Sequence, residues 1–255
     1  MTSSKKSSVS PLTLLIDADL YLYRACAAAE EEIDWGNDVW SLSADLKAAK
    51  QIFRDRIQSF CEMFQTAHFV LCISDSENFR KELSDTYKGG RKKVRKPVGY
   101  KALVEWAKEN YTWHSEPLLE ADDVMGILAT APDANAIIIS DDKDMKSLPA
   151  RLYRPMSEER LTITEDEANK WWWIQTLTGD ATDGYSGCKS VGPKTAEKIL
   201  GARPTWETVV AAFIKNGMTA EDALLQARLA RILRYEDWDM ETSTIKLWEP
   251  SDVRA

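Results

Sequence analysis

The 255-residue sequence is poor in histidine. His68 and His114 are the only two, and they lie in separate stretches, which argues against a histidine-centred nuclease or a His-bearing triad. Cysteine is also sparse. Cys26, Cys61, Cys72 and Cys188 are scattered and form no CxxC pair, so the chain reads as reduced and cytosolic, without a zinc site. No apolar run approaches the ~20 residues that a membrane span needs. The first eleven residues are rich in Ser and Lys and lack an apolar core, the pattern of a disordered tail rather than a secretory signal. Internal repeats and long low-complexity segments are missing as well. Nothing calls for a membrane or an obligatory protein partner.

Positive charge is in deficit too, with a formal net charge of −8. Taken whole, that balance argues against a polyanionic partner, because phosphate binding needs a positive surface. The distribution reverses the argument. Between Arg80 and Lys101 lie nine basic residues against Glu82 and Asp85, a local charge of +7. Acids crowd elsewhere into short motifs. An acidic site beside a basic patch suits an enzyme that handles both metal ions and polyanions.

What is present in quantity is apolar sequence, 44% of the chain, enough to bury a sizeable core. Three short apolar runs end in acid: residues 12–16 into Asp17 and Asp19, 68–73 into Asp75, and 136–139 into Asp141, Asp142 and Asp144. Such continuous runs suit strands covered on both faces, and a further short strand is expected at 151–154. Between them, apolar spacings of three and four predict helices over 45–65, 100–109 and 121–130. Alternating strands and helices predict an α/β fold with a mostly parallel central sheet, whose ligands gather beyond the carboxyl ends of the strands. From about residue 161 the pattern turns helical, with helices expected over 165–177, 194–200, 205–215 and 220–234 and a strand near 244–248. The expected organisation is a tail over 1–11, an α/β domain over 12–160 with a basic gateway at about 80–101, and a helical region over 161–255 with a hairpin at 183–200.

Glu120, Asp122 and Asp123 share one helix start. A helix dipole favours acids there by about 0.3–1 kcal/mol each, so one or two would be unremarkable. Three are harder to dismiss, since like charges raise one another's pKa unless a cation neutralises them. With Asp17, Asp75, Asp142 and Asp144 from the strand ends, and Asp180 and Asp183 from the helical region, the oxygen-only set suits Mg²⁺ or Mn²⁺. It exceeds one ion's needs and fits a pair. The string from Gly187 to Ala196 reads as a Gly-rich hairpin opening a helix, where backbone amides can hold a phosphate.

These motifs, in this order, resemble the 5′-nucleases: Asp17 with Arg24 seven residues on, Phe79-Arg80 before Tyr87-Lys88-Gly89-Gly90-Arg91, Glu120-Ala121-Asp122-Asp123, Asp142-Lys143-Asp144, and Gly179-Asp180-Ala181-Thr182-Asp183 before the hairpin. That group holds flap endonucleases, the 5′-nuclease domains of bacterial DNA polymerase I and stand-alone phage 5′–3′ exonucleases. The chain looks most similar to the short podophage exonucleases over roughly residues 12–202. The resemblance implies a PIN-like fold, a helix–three-turn–helix region and a cytoplasmic enzyme (host cytoplasm if phage-encoded). It would cleave duplex or flapped DNA, or RNA in RNA–DNA hybrids, with two Mg²⁺ ions that Mn²⁺ can replace. By the same resemblance Asp17, Asp75, Glu120, Asp122 and Asp123 would surround one ion, and Asp142, Asp144, Asp180 and Asp183 the other. Arg24 and Lys88 would be catalytic cations. Arg80, Lys81, Arg91, Lys92, Lys93, Arg95 and Lys96 of the gateway, with Lys189, Gly192, Lys194 and Thr195 of the hairpin, would contact DNA. Gly187, Ser190 and Val191 would hold K⁺ on their carbonyls. Asp19 and Asp141 are additions to the family pattern, and residues 88–101 are short for a full arch.

Two other readings compete. Asp17-Ala18-Asp19 after a strand mimics a haloacid-dehalogenase phosphatase nucleophile, but that chemistry leaves Glu120–Asp123 and the hairpin without purpose. A non-catalytic DNA-binding relative would have lost acids that this chain keeps. The run Trp171-Trp172-Trp173 invites base stacking. On a helix three successive residues point three ways, so core and packing roles are expected to dominate.

Overall fold

The computed structural model describes residues 10–90, 95–202 and 204–250. Its first half runs β1 (Thr13–Asp17), α1 (Ala18–Ala28), β2 (Glu30–Asp34), β3 (Trp40–Ala44), α2 (Leu46–Phe64), β4 (Phe69–Cys72), α3 (Arg80–Leu83), α4 (Tyr100–Asn110), β5 (Trp113–His114) and α5 (Ala121–Ala129). Then follow β6 (Ala136–Ile139), a 3-10 turn over Lys143–Ser147, β7 (Arg151–Arg154), β8 (Glu159–Thr162), α6 (Glu165–Thr178), α7 (Pro193–Leu200), α8 (Trp206–Lys215), α9 (Ala220–Ala230), β9 (Trp238–Asp239) and β10 (Thr244–Ile245).

Six strands form one sheet in the order β5-β4-β1-β6-β7-β8, parallel throughout except for β7 against β8. β1 lies in the middle, and its apolar residues are buried because both faces are covered. One face packs α1, α2 and α4 through Leu22, Phe53, Phe60 and Leu103. The other packs α5 through Val124 and Met125, joined by Ile232, Leu233 and Trp238 from beyond α9. Parallel strands put the ends of β1, β4 and β6 on one edge, where their acids emerge. A separate apolar cluster joins α6 to α9 around Leu177, Phe213 and Ala227.

Several helix starts follow local rules. Thr164 with Glu167 and Thr219 with Asp222 form capping boxes, satisfying amide donors that an unfinished helix turn leaves free. Among the described residues, no helix is long and apolar enough to cross a membrane.

Three local expectations need correction. The β2–β3 hairpin lies within residues 30–44, where no element was expected, and it presents Trp35, Val39 and Trp40 to solvent. α9 stops at Ala230 instead of running to 234, because Arg80 takes the carbonyls of Leu229 and Arg231 while Asp123 takes the amide of Leu233. The strand expected over 244–248 shortens to two residues paired with β9. Trp172 and Trp173 are buried against Trp206 and Trp248, so packing explains them.

Candidate active site

A cleft of about 230 Å³ opens at the carboxyl edge of the sheet, lined by Lys88, Glu120, Asp122, Asp142, Asp144, Asp180 and Asp183, with Tyr87 and Tyr185 in its wall. Asp17 stands behind it at the end of β1, its Oδ2 accepting from Ser140 Oγ at 2.8 Å. Each acid arrives by a separate local device. Asp17 caps α1, Glu120 caps α5, and Asp142 caps the 3-10 turn that carries Asp144. Asp180 accepts from the amides of Thr182 and Asp183 to shape its own loop.

The electrostatics show a cluster short of positive charge. Burial, then repulsion from Asp19 and Asp142 against the Ser140 hydrogen bond, weakens the acidity of Asp17 to a pKa of about 7. Burial, then the Asp142 charge, does the same to Asp144, also to about 7. Asp122 is driven well above the usual carboxylate range by burial and then by Asp142 and Asp17. Glu120 goes the other way. Burial would raise it, but Lys88 and Arg80 outweigh that and hold it at about 2. Lys88 donates to Glu120 and lies 3.7 Å from Asp183, while Lys143 reaches Asp180 at 3.2 Å. Two ammonium groups thus bridge acids drawn from different elements.

Asp144 Oδ1 is buried without a hydrogen-bond partner, and Lys143 Nζ is 3.8 Å from it, too far to serve as one. An orphaned carboxylate oxygen beside neighbours of raised pKa fits a hard divalent cation. As the side chains stand, no three His, Cys or acidic groups among the described residues close round one point. The fit is therefore one of charge and donor chemistry, not of finished coordination geometry.

Not every expected residue joins this cleft. Asp75 is spent on the amides of Ser76 and Leu118, and the backbone hydrogen bond from Leu118 is the main cause of its lowered pKa. Asp123 is fully buried in an ion pair with Arg80 at 2.7 Å. Arg80 lines the inner wall of the cleft but is only 2% exposed and committed to Asp123, so its side chain is not the surface contact for DNA that the sequence suggests. Arg24 sits at the rim, its guanidinium 2.8 Å from Asp141 rather than in the pocket. Lys81 and Lys96 remain on the outside, one near Glu77 and one over the Tyr100 ring. Arg95 is bound to Glu30 at the base of the β2–β3 hairpin. Arg91, Lys92 and Lys93 lie outside the described residues. Lys189, Gly192, Lys194 and Thr195 are exposed around the start of α7, whereas Gly187 and Val191 are buried and Ser190 is exposed with φ +60°. Reasoning from sequence missed Tyr87, whose hydroxyl donates to Glu120 at 2.9 Å, and Lys143. The available signal is adjacency: Tyr87 precedes Lys88, and Lys143 lies between Asp142 and Asp144.

The gateway base is locked to the Asp180–Asp183 loop. Thr86 Oγ1 donates to Gly184 O at 2.9 Å, and the Lys88 amide donates to Asp183 O at 2.7 Å. Gly184 has φ +79°, and a Cβ there would stand 2.2 Å from Thr86 O. Gly184→Ala should therefore cost on the order of 1–3 kcal/mol, lowering Tm by roughly 3–10 °C and weakening activity by shifting Lys88. A thermal melt checks this, and an unchanged Tm would refute the close approach.

Comparison with known proteins accounts for this arrangement. Residues 12–171 match the 5′-3′ exonuclease N-terminal resolvase-like domain family. The exonuclease of Escherichia phage T7 is 36% identical, covering 93% of each chain. The exodeoxyribonuclease of Enterobacteria phage T3 is 34% identical, covering 93% of this chain and 92% of its own. The solved structure of the T5 D15 protein co-crystallized with metal ions superposes with a TM-score of 0.64 at 15% identity, over 87% of this chain and 89% of that one. The family match spans the strand ends and helix start that build most of the acidic cleft, and the phage relatives run nearly end to end; this chain belongs to the 5′-3′ exonuclease family.

Proposed function

We propose that this protein is a metal-dependent nuclease that hydrolyses DNA from 5′ ends or at 5′ flaps. The observation that carries the reading is the acid cleft, lined from three stretches of a chain that belongs to the 5′-3′ exonuclease family, with Asp17 of a fourth behind it and Lys88 at its wall. Asp17, Glu120, Asp122, Asp142, Asp144, Asp180 and Asp183 are the residues that would hold two Mg²⁺ ions, with Mn²⁺ as a substitute. When bound, such ions lower the pKa of an attacking water and offset charge on the phosphate. Lys88 supplies a fixed cation between Glu120 and Asp183, and Arg24 supplies one at the rim beside Asp141. Both are suited to steady a phosphate that enters the cleft. The raised pKa values of Asp17 and Asp144 keep the site from holding a full set of negative charges until cations arrive.

DNA beyond the cleft would rest on Lys189, Lys194 and the amides opening α7, with K⁺ on the carbonyls of Gly187, Ser190 and Val191. Gly187 and Ser190 both have positive φ, which folds the chain back tightly there. Reversing charge at Lys189 and Lys194 together should flatten the salt dependence of DNA binding by roughly 0.9 in slope for each lost phosphate contact. Titrations at several salt concentrations measure it, and an unaltered slope removes this surface from the interface.

The deciding experiment incubates the protein and Mg²⁺ with 5′-labelled duplex, flap and RNA–DNA hybrid substrates and sizes the products. Mononucleotides indicate exonuclease action, and a released flap indicates endonuclease action. Degradation from 3′ ends, or none with Mg²⁺ or Mn²⁺, overturns the proposal.

A further inference from the structure

Glu120, Asp122 and Asp123 stand together at the start of α5, yet the third differs from the other two. Asp123 is fully buried. Its Oδ1 accepts from Arg80 Nη2 at 2.7 Å and from the Leu233 amide at 3.0 Å. Its Oδ2 accepts from Arg80 Nη1 at 2.8 Å and from the Glu120 amide at 3.2 Å. A carboxylate offers about four lone-pair directions, and here each has a donor. None is left for a cation.

Arg80 is matched in the same way. Besides its two bonds to Asp123, Nε donates to Leu229 O at 3.2 Å, Nη1 reaches Glu120 Oε2 at 3.4 Å, and Nη2 donates to Arg231 O. A guanidinium carries five N–H donors in a rigid fork, and all five are engaged. The fork joins three pieces of chain: the gateway base in α3, the helix start that presents Glu120 and Asp122, and the strand-like exit of α9. The exit and α5 are already in close contact, since a Cβ on Gly126 would stand 2.2 Å from Leu233 O.

We infer that Arg80 is a positioning residue for the nuclease reaction, with Asp123 as its counter-ion rather than a metal ligand. Together they fix the helix end that aims Glu120 and Asp122 into the cleft. This rests on the nuclease reading above. Lysine at position 80 keeps the charge but concentrates three donors at one point, so it cannot reach both oxygens of Asp123 and the carbonyls of Leu229 and Arg231 at once.

The test combines kinetics with direct binding of Mn²⁺ in the absence of DNA. Arg80→Lys should lower kcat about 10–100-fold, leaving KM and the salt slope of DNA binding unchanged. Arg80→Gln should weaken Mn²⁺ binding by a similar factor, because the helix start that aims Glu120 and Asp122 loses the fork that holds it. Adding Asp123→Asn should then recover much of that affinity, since the two amides can pair without charge. A metal ligand behaves oppositely, and a second substitution that weakens Mn²⁺ binding further makes Asp123 a ligand and overturns the inference. So does Arg80→Lys with kcat retained but a shallower salt slope, the behaviour of a DNA contact. If the wild-type protein cleaves none of the 5′-ended substrates, the nuclease reading fails, while the Mn²⁺ cycle still reports on Asp123.

Discussion

Asp122→Asn should lower kcat by roughly 10³-fold while making the metal-free protein more stable. The two effects share one cause. Asp122 is buried against Asp142 and Asp17, and the burial first, then the repulsion, that push its pKa upward are a cost the folded chain bears in order to hold cations. Asparagine keeps the shape and removes that cost, as does protonation. It also removes a charged oxygen ligand from the proposed metal site, for which a neutral amide is a poor replacement. DNA affinity should change little, because the phosphate-binding surface proposed above consists of basic residues and backbone amides rather than of the acids. Single-turnover cleavage, a binding titration and a thermal melt test all three statements. Loss of binding in proportion to activity would contradict the metal role, and a lower melting temperature would contradict the repulsion.

The residues that carry this behaviour were legible to different degrees. Apolar runs ending in acid gave the middle of the sheet directly, because in a parallel sheet covered on both faces strand identity and strand end are local patterns. Asp75 carries the same pattern and goes elsewhere, since whether a loop amide such as that of Leu118 claims the carboxylate is a tertiary matter. Asp122 and Asp123 are neighbours that sequence cannot rank; one helical step separates a cleft-lining acid from a fully buried one. The over-extension of α9 has the same origin. Apolar spacing continues through Ile232 and Leu233, but Arg80, some 150 residues earlier, takes the carbonyls that the helix needs. The β2–β3 hairpin was hidden for the opposite reason. Glu30, Glu31, Glu32 and Asp34 make β2 too charged to resemble a strand, and the pair lies on the surface instead of in the core. α1 is local in origin: Ala18, Tyr21, Leu22, Ala25 and Cys26 follow a helical spacing directly after the acid-ended strand.

The charge cost at the cleft also sets a pH and metal dependence with a definite sign. Asp17 and Asp144 have folded-state pKa values of about 7 against an ordinary 3.8, owing first to burial. Between those values the folded protein holds protons that the unfolded chain has released. Stability of the metal-free protein therefore falls as pH rises through that window, by about 1.4 kcal/mol per unit for each such group. The contribution of these two groups levels off above pH 7, where each is ionised in both states, and Asp122, also raised, adds a fall of the same sign. Groups with depressed values, such as Glu120 at about 2, act only below about pH 4.5 and leave the window from 5 to 8 clear. A divalent cation that binds the folded state alone competes with these protons, so its stabilisation should be small at pH 5 and large at pH 8. At a hundredfold excess over Kd the gain is about 2.7 kcal/mol, or roughly 5–10 °C in Tm for a chain of this size. Melts at pH 5 and pH 8, with and without Mg²⁺ or Mn²⁺, make the comparison. Equal shifts at the two pH values would mean that the ions bind somewhere other than among Asp17, Asp122 and Asp144, because only a site short of positive charge ties its own stability to both protons and metal.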